Sequence, residues 1–142
     1  MTTYVVDANV IVASFIPEEH SEIAELLIGR HRRRDIDLIA PQQVLAEVGH
    51  ALRRELVRKR IPADVVPSMW ADFRSLPLRL VGLDVIADAA FDLSLANMAS
   101  FYDSLYVALS IHEKVPFVTT DERAKRAFNG AYDIVHITEI AL

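Results

Sequence analysis

The chain contains no cysteine, which excludes disulfides, iron–sulfur clusters and thiolate zinc sites and suits a reducing compartment. Glycine is scarce. Its four positions, Gly29, Gly49, Gly82 and Gly130, form neither a dinucleotide fingerprint nor a phosphate-cradling loop. No serine stands in a nucleophile elbow, and the five histidines (His20, His31, His50, His112, His136) include no helical pair at zinc-protease spacing. No apolar run approaches the ~20 residues of a membrane span. Thr3-Tyr4-Val5-Val6 begins a strand where a signal peptide would carry a basic segment and a longer apolar one. The expectation is a soluble, cytoplasmic protein without membrane association. With those chemistries set aside, carboxylates are the remaining candidates for a reactive centre.

What is present suits one domain spanning residues 1–142: the chain is 52% hydrophobic, with a mean hydropathy of +0.23. The apolar surplus hints at a surface covered by a partner or a second copy. A net charge of −5 argues against a nucleic-acid partner until its distribution is considered. Four of the 15 Lys+Arg fall between Arg30 and Arg34, five between Arg53 and Arg60, and three between Arg123 and Arg126. Each cluster alone reads as a solvated helix face, and the three together suggest a phosphate-tracking surface.

Hydrophobic patterning predicts strands at Thr3–Val6, Asp37–Ala40, Pro77–Gly82, Pro116–Thr119 and Asp133–Ile137. Between them it predicts helices at Val10–Phe15, Ser21–Arg33, Gln42–Lys59, Pro62–Ser75, Asp84–Met98, Tyr102–Glu113 and Asp121–Phe128. Ser21 and Asp84 are the expected caps of their helices, and Pro41 is expected to stop a strand and enter the next helix. Strands separated by helices give a mostly parallel sheet of about five strands covered on both faces, with ligands beyond the carboxyl ends of the strands.

Four acids sit at junctions of these elements. Asp7 follows the first strand, where an uncompensated carboxylate is costly; capping the next helix is its simpler use. Glu47 lies beside Val44, Val48 and Ala51 at the edge of an apolar helical stripe, and Glu55 projects similarly and rivals it. Asp103 opens an almost wholly apolar helix, again a place for a cap. Asp121 follows Phe117-Val118-Thr119-Thr120, where Thr119 and Glu122 have capping-box spacing. Four acids converging on one end of a sheet repel one another unless cations neutralise them. An all-oxygen ligand set selects Mg²⁺ or Mn²⁺, and the chemistry that follows is metal-assisted hydrolysis of a phosphodiester.

The segments Val5-Val6-Asp7-Ala8-Asn9, Glu47 in its helix, Tyr102-Asp103-Ser104-Leu105-Tyr106-Val107-Ala108-Leu109 and Val118-Thr119-Thr120-Asp121-Glu122-Arg123 resemble, in order and spacing, the PIN-domain family and its VapC-type toxins. The resemblance spans residues 5 to 123. It implies a three-layer α/β/α sandwich in which Asp7, Glu47, Asp103 and Asp121 coordinate one or two Mg²⁺ or Mn²⁺ ions. Asn9 and Thr119 match its supporting polar positions. It also implies an RNA substrate, a homodimer, and inhibition by a cognate antitoxin. Arg53, Arg54, Arg58, Arg123 and Lys125 are then the candidates for flanking RNA phosphates. An antitoxin helix could dock on Pro62–Leu76 through Val65, Val66, Met69, Trp70 and Phe73, although these read more simply as core.

Other readings fit less well. A phosphatase using Asp7 as nucleophile wants a second Asp where this chain has Asn9, and a phosphoacceptor domain wants a late lysine. The remaining alternative is a catalytically inactive PIN-like scaffold that binds RNA or a protein partner.

Overall fold

The computed structural model describes residues 1–142. The chain runs β1 (Thr2–Val6), α1 (Ala8–Phe15), α2 (Ser21–Arg32), β2 (Ile36–Pro41), α3 (Val44–Val57), α4 (Val66–Arg74), β3 (Arg79–Val81), α5 (Leu83–Asn97), α6 (Phe101–Glu113), β4 (Phe117–Thr119), α7 (Glu122–Ala127) and β5 (Ile134–His136). A 3₁₀ turn, Ile137–Glu139, follows. All five strands are parallel, in the order β3-β2-β1-β4-β5.

Side chains alternate across the sheet and bury on both sides, as a covered parallel sheet requires. Val6, Leu38, Ala40 and Val118 pack with α1 to α4. Val5, Ile39 and Phe117 pack with α5, α6 and the end of α7. The result is the expected three-layer sandwich. Two crossovers lead outward from β1 through β2 to β3. The chain then returns through α5 and α6 to place β4 on the other side of β1. The strand order therefore reverses between β1 and β4, and the crevice beyond their carboxyl ends is where such sheets bind ligands.

Several local expectations are corrected. Ser21 is the first residue of α2 rather than its cap: His20 holds the cap position, and the Ser21 hydroxyl accepts from Glu18 N and donates to Ile16 O. Pro41 remains in β2, paired in register with Val81. Its missing N–H is tolerated because β1 pairs with β2 only as far as Ile39. Helix α4 starts at Val66, not Pro62, because Pro67 lacks an N–H and fits only the first turn. Gly82, not Asp84, caps α5. No helix is long and apolar enough to cross a membrane.

Candidate active site

The β1–β4 crevice is built from strand ends. Asp7 N donates to Val118 O (3.0 Å), so the residue after β1 is pinned to β4. Asp7 caps α1, its Oδ1 accepting from Asn9 N at 3.3 Å. The cap uses one oxygen only. The other, Oδ2, accepts from the Thr119 hydroxyl at 2.6 Å, and Thr119 Oγ1 in turn accepts from Asp121 N at 3.0 Å. A single fully buried threonine thus joins the first acid to the fourth. The capping box that the spacing of Thr119 and Glu122 would allow does not form, because Asp121 itself caps α7 through Arg123 N (2.8 Å) and Ala124 N (3.4 Å).

Asp103 is free of capping duty. Ser100 caps α6, accepting from Asp103 N at 3.0 Å, and this leaves the Asp103 carboxylate to face the crevice. Glu47 is held from two sides. Gln43, one turn earlier on α3, donates from Nε2 to Glu47 Oε1 (2.5 Å) and to the Tyr102 carbonyl of α6 (3.1 Å). Both partners are acceptors, so the amide must present its NH₂ to them, and its buried Oε1 is left without a donor. The Tyr106 hydroxyl accepts from Ala8 N at 3.4 Å and donates towards Glu47.

Electrostatics places the acids in one another's field. Burial pushes the Asp7 carboxyl up to about 7, with the charges of Glu47 and Asp103 adding to the rise against the hydrogen bonds from Thr119 and Asn9. Burial likewise raises Glu47, with a contribution from Asp103. Burial and Asp121 raise Asp103, partly offset by Ser100 and Arg123. Burial and the Asp7 and Glu47 charges push the Tyr106 phenol well above its ordinary value, so it remains a donor. Glu55 is absent from this field. It is buried two turns further along α3 and paired with Arg60 at 3.4 Å, so Glu47 is the acid that α3 brings to the crevice.

As the side chains stand, no three of them close into a metal-holding group. They face one another coupled by charge, which keeps like carboxylates apart. The donor chemistry nonetheless fits a hard divalent cation: all four groups offer oxygen only, and the raised carboxyls carry an electrostatic penalty that a cation removes.

The basic residues divide. Arg54 lines a cleft that runs from Tyr102, Glu47 and His50 past Asn9 and Ala51. Arg123 stands exposed, 3.9 Å from Asp121. Arg53 opens instead onto an apolar groove with Trp70, Arg58 is exposed at the end of α3, and Lys125 is paired with Glu139. The Arg30–Arg34 cluster ends α2 just before β2 begins, so it lies at the end of the sheet opposite the acids and is no part of a continuous phosphate track. Gln43, Tyr106 and Ser100 were not among the expected site residues. Their signal is spacing alone: four before Glu47, and three either side of Asp103.

The family description matching this sequence is PIN domain, over residues 4–129. The chain belongs to the PIN-domain family. This PIN domain is 30% identical over 124 residues to Ribonuclease VapC3 of Pyrobaculum aerophilum, covering 87% of this chain and 93% of that one. Among solved structures it resembles PAE2754 from Pyrobaculum aerophilum (TM-score 0.72, 20% identity, 96% of this chain and 85% of that one). It also resembles Mycobacterium tuberculosis VapC20, described as a sarcin-ricin loop cleaving toxin (TM-score 0.66, 16% identity, 89% and 95% coverage).

Proposed function

We propose that this PIN domain is a divalent-metal-dependent endoribonuclease and the toxin of a toxin–antitoxin pair. The observation that carries the chemistry is the placing of Asp7, Glu47, Asp103 and Asp121 around the β1–β4 switch point, where burial and neighbouring acids raise the carboxyls of Asp7, Glu47 and Asp103. The ribonuclease identity of the 30% identical relative supports RNA as the substrate.

The four carboxylates are the residues that would hold Mg²⁺ or Mn²⁺. When bound, such an ion supplies Lewis-acid activation and charge neutralisation for water attack on a backbone phosphate. The protein's own contribution is position. Thr119 fixes Oδ2 of Asp7, Gln43 and Tyr106 fix Glu47, and Ser100 holds the first turn of α6 beneath Asp103. Asn9 borders the cleft next to Asp7, and Arg54 stands where a flanking phosphate would pass.

Two surfaces support the partners. An apolar groove of about 280 Å³ between α3 and α4 is walled by Leu52, Leu56, Val66 and Trp70. It opens because Gly49 has no side chain to meet Trp70, whose ring lies 3.3 Å from where a Cβ would be. An antitoxin helix would lay its apolar face here. Phe73, by contrast, belongs to the core. On the other layer, Phe91 and Leu95 of α5, Met98 at its C-cap, and Phe101 and Tyr102 of α6 are exposed, and this stripe is the face on which a second copy would sit.

The test is cleavage of RNA by the purified protein with Mn²⁺ or with EDTA, alongside calorimetric titration of Mn²⁺. Metal-dependent cuts support the proposal. RNA binding indifferent to EDTA, without cuts, would identify the inactive scaffold.

A further inference from the structure

Beside the acids, α1 and the second half of α3 enclose a cavity of about 360 Å³ that the proposed cleavage chemistry does not use. It is continuous with the crevice: Asn9 and Arg54 line both, and Thr120 follows Thr119 of the Asp7 bridge. Its wall includes Glu55, Arg60 and Ile61. Glu55 is only 7% exposed, and its Oε2 has no hydrogen-bond partner. Its Oε1 meets Arg60 at 3.4 Å, a long contact to a side chain that is itself 58% exposed. A buried carboxylate oxygen without a donor is costly, and a ligand that brings the donor removes that cost.

We propose that this cavity is a nucleobase subsite for a guanine flanking the scissile phosphate, recognised by Glu55. The inference rests on the ribonuclease reading and adds its specificity. Single-stranded RNA is read through splayed bases whose Watson–Crick edges meet side chains. Guanine alone among the four presents two adjacent N–H donors there, N1–H and the 2-amino group, which match the two oxygens of one carboxylate. Adenine and cytosine pair a donor with an acceptor that a carboxylate repels, and uracil places its one N–H between carbonyls. The volume accommodates a purine. Arg60, only loosely tied, is the group that gives way, and Arg54 at the shared border takes the neighbouring phosphate without regard to base.

The experiment is binding of GMP, AMP, CMP and UMP to the full chain in EDTA, so that it is independent of cleavage, followed by mapping of the bases flanking the cuts in Mn²⁺. The wild type is expected to bind GMP roughly tenfold or more tightly over the others. Glu55→Gln should abolish the preference for GMP, because an amide offers one acceptor where the carboxylate offers two, while Arg54→Ala weakens all four alike and keeps the order. Should Glu55→Gln fail to fold, Arg60→Ala serves instead: it frees the second oxygen and should sharpen the preference for GMP. Equal or absent binding of the four by the wild type overturns the inference, as does an unchanged preference for GMP in Glu55→Gln or an unchanged or weakened one in Arg60→Ala. Cuts without a base preference sink this inference and leave the ribonuclease standing. A GMP preference without metal-dependent cuts does the reverse.

Discussion

Asp7 shows how a residue built for function costs stability. Its carboxyl titrates near 7 in the folded protein against an ordinary value of 3.8, so the folded chain holds the proton more tightly than the unfolded one. Its contribution is therefore intact below about pH 4, is lost as pH rises towards 7, and stays lost above. The rise corresponds to about 4 kcal/mol. Asn in its place keeps an acceptor for Thr119 and carries no charge. Asp7→Asn in EDTA should therefore be a few kcal/mol more stable than wild type at pH 8, with the gain vanishing near pH 4. Denaturant titrations at the two pH values measure this, and equal stability at pH 8 would show that the carboxylate is not under strain there. Activity should be lost at both. Gln43 works the other way. Its NH₂ holds Glu47 and the start of α6, so Gln43→Leu should leave the circular dichroism spectrum unchanged yet weaken Mn²⁺ binding roughly ten- to a hundredfold by calorimetry.

At the scale of elements, α6 joins core to chemistry. Ser104 to Ser110 are buried in succession, and the helix delivers Asp103 from its first turn. Ser100 is the hinge of that arrangement, because its hydroxyl satisfies Asp103 N and its carbonyl accepts from Ser104 N. Ser100→Ala should cost about 1 kcal/mol in denaturant titration, and a larger share of activity than of stability. The sequence pattern located every strand and helix, because buried parallel strands are short β-branched runs and the helices between them are amphipathic or apolar. It misjudged starts and caps. Ser21, Asp84 and Pro41 each have a residue type suited to the assigned role, but which residue becomes the cap depends on where the chain leaves the sheet. The four acids were legible as junction residues. Their convergence was expected from the junctions and the family resemblance, but the exclusion of Glu55 and the parts played by Gln43 and Tyr106 were not legible, because each depends on contacts between elements distant in the chain.

Across the whole molecule, strand order does most of the placing. Reversal of the order between β1 and β4 brings Asp7 and Thr119, far apart in sequence, into hydrogen-bond contact and opens the crevice that α3 and α6 then line. The same topology sends the Arg30–Arg34 cluster to the opposite end, which is why a chain with three basic clusters offers only part of that charge to a substrate. The exposed apolar stripe across α5 and α6 also belongs to this scale. Leu95 is 60% exposed and Met98 90%, and Leu95→Glu should convert a dimer to a monomer in sedimentation velocity with the fold retained. A wild type that sediments as a monomer would show that the stripe does not join two copies. The central claim, that these four carboxylates form a metal-dependent ribonuclease centre, is tested most directly by incubating total cellular RNA with wild type and Asp103→Asn, each with Mn²⁺ and with EDTA, and mapping new 5′ ends. Discrete cuts in the wild type with Mn²⁺ alone are the expected result. Equal cutting by Asp103→Asn, or cutting that persists in EDTA, would contradict it.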